Sequence, residues 1–341
     1  MGEMNKTIPC ILAISFLALS LCLSACQGKK GNGKPEAPSA PVAAPAPKAP
    51  VCNADSAYRF AAEQVAFGPR IPNSEAQRQC AQYLQAKLSS YGADVQIQRF
   101  QASRWDGMML DGYNIIAAFN PAKTQRILLC AHWDSRPYAD HDPDPQTHRL
   151  AIDGANDGAS GTAVLLEIAR VMHKSLPDIG VDIILFDLED SGKPEWEANQ
   201  YGDEYTWALG SQYWANNPHI PGYNALFGIL LDMVGTQNPC FAMEATSMYY
   251  APDIMSKVWN TAASLGYSHI FQNREGGAII DDHLFINELR GIPTIDVIHY
   301  ENGNLSGFFP HWHTRMDNMD NISAGTLKIV GDVVLAVVYG E

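Results

Sequence analysis

The chain has 341 residues, with 23 Lys and Arg against 37 Asp and Glu, for a net charge of −14. This acidic balance, with no block of basic residues, argues against nucleic acid as a partner. The seven cysteines form no Cys-x-x-Cys pattern, so a thiolate zinc site is not expected either.

The chain opens with Lys6 and the apolar run IPCILAISFLALSLCL, which is shorter than the ~20 residues of a spanning helix. A charged start, a short apolar middle and small residues before a cysteine describe an export signal over residues 1–26. Leu23-Ser24-Ala25-Cys26 resembles a bacterial lipobox, in which Cys26 carries lipid. Residues 27–50 are rich in Pro and Ala and too poor in large apolar groups to fold, as a tether would be. Membrane contact is therefore expected through lipid only. The domain, residues 51–341, is expected in the cell envelope, facing the periplasm, as a monomer. Of its four thiols, Cys52 and Cys80 share the N-terminal helical segment and form the candidate disulfide pair.

Within the domain, SEAQRQCAQYLQAKLSSYGA has apolar residues at helical spacing, with Asn73 as candidate N-cap and Gly92 as its close. DVQIQRF alternates, and YNIIAAF and RILLCAH are short branched runs, so all three predict strands. GTAVLLEIARVMHKS predicts a helix, and VDIILFDLE and GILLDMVG predict strands. APDIMSKVWNTAASLG (helix), GIPTIDVI (strand) and NISAGTLKIVGDVVLAVVYG (helix) complete the series. This alternation predicts an α/β fold with a mostly parallel central β-sheet.

In such sheets ligands sit beyond the carboxyl ends of the strands. Those ends carry His132-Trp133-Asp134, Glu189-Asp190, Asp232 and the loop with His311-Trp312-His313. A further acid, Asp157, stands among small residues in GANDGASG, just before a helix. Alone it reads as a helix cap. Together, the His and carboxylate groups supply the N and O donors of a catalytic zinc site. Glu189 and Asp190 are adjacent and cannot point the same way from a regular strand. Asp190 is assigned to the metal and Glu189 to proton transfer.

HWDS, GANDGASG, LFDLED, LLDMVG, DDH and WHT resemble, in order and spacing, the zinc exopeptidase-like fold shared by bacterial aminopeptidases and glutaminyl cyclases. The resemblance implies one α/β domain built on a mixed, mostly parallel central β-sheet of six or slightly more strands, flanked by helices on both faces. Its cyclase branch implies one Zn²⁺ on Asp157, Asp190 and His313, with Glu189, Asp232 and Asp281 as a proton-handling carboxylate chain. Trp312 would flank the substrate, with Trp196 or Trp207 as the second indole. Asp281 and Asp282 also read as the acidic start of a helix. The peptidase branch implies two zincs and adds His132 and Asp232 as ligands; His132 and Asp134 are expected as second-metal or structural residues. Glu189-Asp190 departs from the Glu-Glu of many relatives. Thr162 stands near the place of a cysteine partner in animal cyclases, so Cys130 is expected as a buried free thiol. His311 is expected at the rim.

The activity the resemblance implies is glutaminyl-peptide cyclotransfer: peptides or proteins with N-terminal Gln become pyroglutamyl with loss of ammonia. A zinc aminopeptidase is the alternative, and a lipoprotein that binds peptides or zinc without turnover is the third reading.

Overall fold

Branched apolar runs become strands here because a strand covered on both faces can bury every side chain it carries. In β3 (Arg126–His132), Ile127, Leu129 and Ala131 enter one layer of core, whereas Leu128 and Cys130 enter the other. A computed structural model describes residues 49–198, 203–301 and 306–341. The signal segment with Cys26, and the tether up to residue 48, lie outside the described residues.

Before β3 come α1 (Ala54–Val65), α2 (Glu75–Ser90), β1 (Asp94–Ser103) and β2 (Met109–Phe119). After it come α3 (Ala159–Lys174), β4 (Gly180–Phe186), α4 (Leu209–Asn216), β5 (Gly228–Asp232) and β6 (Phe241–Met243). The chain continues through α5 (Ala245–Tyr250), α6 (Pro252–Ser264), β7 (Phe271–Glu275), α7 (Asp282–Phe285), β8 (Thr294–Ile298) and α8 (Ala324–Val338).

Six strands form the main sheet in the order β1-β2-β4-β3-β5-β8. β1 and β2 pair antiparallel, β2 pairs antiparallel with β4, and the remaining neighbours are parallel. This is the expected mixed, mostly parallel sheet. One face is covered by α1, α2, α3 and α8, which contribute Phe60, Leu84, Leu165 and Val334 to the core. The other is covered by α4 and the segment after α7, through Trp214, Ile286 and Ile292. From β3 the chain crosses to β4 on one side and later reaches β5 on the other, so the strand order reverses at β3. That reversal opens a crevice at the carboxyl ends.

Two expectations are corrected. Ser74, not Asn73, caps α2: its side chain accepts from the amide of Gln77 at 3.0 Å. Asn73 instead takes a left-handed backbone (φ 63°), and its side-chain oxygen accepts from the amide of Asp111. Cys52 and Cys80 are not paired; both are buried free thiols. Cys52 precedes α1 and faces α8, where its amide donates to Asp332 at 2.8 Å, whereas Cys80 lies on α2. Burial pushes the Cys80 thiol up to about 12. The same Tm is therefore expected with and without a reducing agent; a drop on reduction would reveal a bridge. Cys130 is a buried free thiol, as expected.

Candidate active site

Each strand end delivers its polar residue by a specific device. β3 runs into Asp134, whose two carboxylate oxygens accept the amides of Glu189 and Asp190, both at 3.1 Å. Asp134 is thus a brace between two strand ends. Leu188 has a left-handed backbone (φ 62°), which breaks the strand geometry just before Glu189 and Asp190. The same conformation recurs at Met233 after Asp232, at Ala208 after Trp207 and at His313 itself. Such backbone persists only where surrounding structure holds it, and it concentrates at functional sites.

Asp157 sits in a tight loop for a steric reason. A Cβ at Gly158 (φ 92°) would meet the carbonyl oxygen of Asp134 at 2.3 Å, and one at Gly154 (φ 59°) would meet that of Asp157 at 2.6 Å. Buried Arg70 clamps this loop by donating to the carbonyls of Asp153, Gly154 and Trp133. Asp317 accepts the amides of Asn156 and Asp157 at 2.7 and 3.0 Å. Asp157 makes no capping bond: the N-cap of α3 is Gly158, without a side-chain cap. The cap reading fails.

The structure brings Asp157, Asp190 and His313 together, with one donor atom from each within 4.8 Å of the others. His313 Nε2 lies 3.2 Å from Asp190 Oδ1 and 3.6 Å from Asp157 Oδ2. Asp157 Oδ2 and Asp190 Oδ2 are buried with no hydrogen-bond donor. A second group joins His132, Asp157 and Asp232: His132 Nε2 is 3.1 Å from a carboxylate oxygen of each. The other ring nitrogen of His132 is 3.3 Å from Asp134.

Burial and the Asp190 charge raise Asp157 to about 7, and the same two causes raise Glu189 well above its ordinary range. Burial also opposes the charge of Asp190, but contact with His313 outweighs it and lowers that pKa. Burial likewise opposes protonation of His132, and its three carboxylate neighbours more than reverse this. Negative charge is in excess here, with N and O donors and no thiolate, and two carboxylate oxygens face no N–H. These residues fit a dication such as zinc.

The site opens into a cavity of about 380 Å³ lined by Glu189, Asp232 and Asp281 besides Asp157, Asp190 and His313. Trp207 and Trp312 are both in its wall. The Trp207 ring stacks over His313 at 5.9 Å and 12°, and the Trp312 ring lies 3.8 Å from the same imidazole. This resolves the choice between indoles. Trp196 packs edge-on against Tyr138 and under Arg149, outside the cavity. His311 is half-buried and does not line it. Asp281 caps α7, with Oδ1 accepting the amide of Asp282, while Oδ2 has no partner. It serves as helix start and pocket residue at once.

Sequence reasoning missed Arg136, Asp140 and Asp317. Fully buried Arg136 donates to the carbonyls of Asp190, Gly192 and Lys193, pairs with Asp140 at 2.6 Å and lies 4.4 Å over the Trp207 ring. Asp140 in turn stands 3.4 Å from His313 Nδ1, as a carboxylate that orients a metal-binding histidine does. Arg136 and Asp140 lie in irregular chain after β3, where an i, i+4 spacing carries no signal. Asp134→Ala should destabilise the fold by roughly 3–5 kcal/mol, since it strands two buried amides. A thermal melt should show Tm lower by roughly 10 °C; an unchanged Tm would contradict the brace.

Comparison with known proteins places this geometry. The sequence profile of peptidase family M28 matches residues 114–338. A solved Zn-dependent exopeptidase from Parabacteroides distasonis is 50% identical, with TM-score 0.84, over 86% of this chain and 100% of that one. A glutaminyl cyclase from Bacteroides thetaiotaomicron, solved with N-acetylhistamine, is 49% identical, with TM-score 0.84, over 86% of this chain and 99% of its own. The glutaminyl-peptide cyclotransferase of Bos taurus is 29% identical over 252 residues, 65% of this chain and 64% of the bovine protein's length.

Proposed function

The chain belongs to peptidase family M28, and within that family we propose that it is a glutaminyl-peptide cyclotransferase acting on peptides with N-terminal Gln. The observation that carries the reading is Glu189, buried beside the Asp157–Asp190–His313 group in a cavity walled by Trp207 and Trp312. Similarity to the Bacteroides glutaminyl cyclase supports it.

Asp157, Asp190 and His313 would hold one Zn²⁺, which supplies Lewis acidity for the substrate's γ-amide carbonyl. The indoles of Trp207 and Trp312 confine the short glutaminyl side chain, so that its α-amine and γ-carbonyl meet within one cavity. Holding them together replaces a bimolecular encounter by ring closure. Glu189 takes a proton from the α-amine as the new C–N bond forms. It returns that proton to the amide nitrogen as the old C–N bond breaks and ammonia leaves. Burial and the Asp190 charge raise its pKa, the direction that helps a carboxylate take up a proton. Asp232 and Asp281 line the same cavity.

The rival is an aminopeptidase with a second metal in the His132–Asp157–Asp232 group. Peptides beginning with Gln, Leu or Met separate the two. An aminopeptidase frees the first residue, whereas the cyclase releases ammonia from the Gln peptide alone. Free leucine or methionine would overturn this proposal. Trp312→Ala should raise KM for the Gln peptide about tenfold, by removing one apolar wall, with less effect on kcat. An unchanged KM would remove Trp312 from substrate contact. Residues 1–26 are read as the lipoprotein signal and 27–50 as the tether, which would hold this domain to a membrane through lipid at Cys26.

A further inference from the structure

One wall of the cavity is a row of rings that leads away from the metal group. The Trp312 ring lies 3.8 Å from that of His313, and the Phe308 ring lies 4.6 Å from Trp312. Tyr300 comes next: Gly307 precedes Phe308 in the chain, and a Cβ there would meet the Tyr300 ring at 3.1 Å. Tyr300 stands just past the carboxyl end of β8 and lines the same cavity. With Phe308 and Trp312 it packs on the buried cluster of Met233, Ile279, Ile298 and Phe309.

The backbone of Tyr300 is pinned on both sides. Its amide donates to the carbonyl of Cys240 at 2.9 Å, and its own carbonyl accepts from Arg274 Nη2 at 2.8 Å. The same guanidinium lies 5.9 Å from the centre of the Tyr300 ring. The ring tip rests on Gly277, another residue of the cavity wall, where a Cβ would meet Oη at 2.8 Å and the ring at 3.1 Å. Only glycine at 277 leaves the hydroxyl the place it occupies. Among the described residues Tyr300 bonds through its backbone alone, and its hydroxyl has no partner. A phenol held in one place against apolar side chains, with its O–H unpaired, is prepared to meet a ligand.

Two parts of a glutaminyl peptide already have their places, the α-amine at Glu189 and the side chain between Trp207 and Trp312. The rest of the peptide leaves along the ring wall. Trp312 and Phe308 separate Tyr300 from His313, and an extended chain advances only ~3.4 Å per residue. The hydroxyl therefore lies beyond the first peptide bond. We propose that Tyr300 is a specificity-determining residue whose hydroxyl donates a hydrogen bond to the backbone carbonyl of the substrate's second residue. The site then selects a peptide chain over glutamine or its simple amide, whatever side chain follows the Gln. This rests on the cyclase reading and deepens it.

The test compares a tripeptide with N-terminal Gln against glutamine amide, which has no second residue to offer. Tyr300→Phe keeps the ring and removes the hydroxyl. It should lower the ratio of kcat/KM for peptide over amide about fivefold, through the peptide's KM and not its kcat. Gly277→Ala keeps the hydroxyl and displaces it, and should lower the ratio to a similar extent. The double variant should lose no more than Tyr300→Phe alone, because both changes act on one hydroxyl. An unchanged ratio in either single variant overturns the proposal, and so do losses that add in the double variant. Equal losses on both substrates would mean a general disturbance of the pocket and overturn it too. Equilibrium binding of the tripeptide to Glu189→Gln, with and without Tyr300→Phe, reads the same contact without turnover; affinity should fall about fivefold. Absent ammonia release by the unaltered protein, with that fall in affinity intact, would instead sink the cyclase reading and leave the peptide contact standing.

Discussion

Glu189→Gln should leave a folded, zinc-holding chain whose kcat for cyclisation is about a thousandfold lower, within the roughly 10²–10⁴ that a positioned acid–base group contributes. The substitution keeps shape and volume, and the position is held from the backbone, where Asp134 accepts the residue's amide. What is lost is the capacity to take a proton and give it back. KM should stay within about threefold, because the indoles and the metal group, not Glu189, confine the substrate. Steady-state ammonia release checks the rate, and binding of a Gln peptide at equilibrium checks the affinity. A protein that only binds peptides would keep its affinity and have no turnover to lose. Survival of most of the activity would remove Glu189 from proton transfer.

His313→Ala should have the second large effect, on metal retention. It deletes the nitrogen donor 3.2 Å from Asp190 and the ring that lies between the two pocket indoles. A site left with two carboxylates loses the mixed N and O set that zinc favours. Dialysed protein should fall from about one zinc per chain towards none, with activity falling alongside. Asp140→Asn tests the support of that ring more gently: it weakens the carboxylate facing His313 Nδ1 and should cost about 10–100-fold in zinc affinity. Elemental analysis after dialysis against a chelator reads both. Full zinc content in His313→Ala would place the ion elsewhere, and the His132–Asp157–Asp232 group would be the first place to look.

The inner strands were legible because they are buried on both faces, which writes them as unbroken apolar runs such as RILLCAH and GILLD, whereas the edge strand β1 showed through its alternation. The site was legible because a parallel sheet forces its ligands to strand ends, so a scatter of acids and histidines collapsed onto a few positions. The supports were not. Asp134, Asp140, Asp157 and Asp317 are all acids in loops, and nothing local in the chain separates one that braces amides from one that faces an ion. The choice between Trp196 and Trp207 failed for a similar reason: separation along an irregular loop fixes neither direction nor distance. The folded geometry settles it: Trp207 lines the cavity and stacks over His313, and Trp196 does not line it. Asn73 and Ser74 are both good caps, and their order was decided by Asn73's contacts with the β2 strand.

The most direct test of the account is one peptide with N-terminal Gln, incubated with the domain and followed by mass spectrometry and an ammonia assay, with and without a zinc chelator. The account predicts a product that has lost one ammonia with every residue retained, formed only while the metal is present. A shortened peptide together with free glutamine would contradict it and make the chain an aminopeptidase.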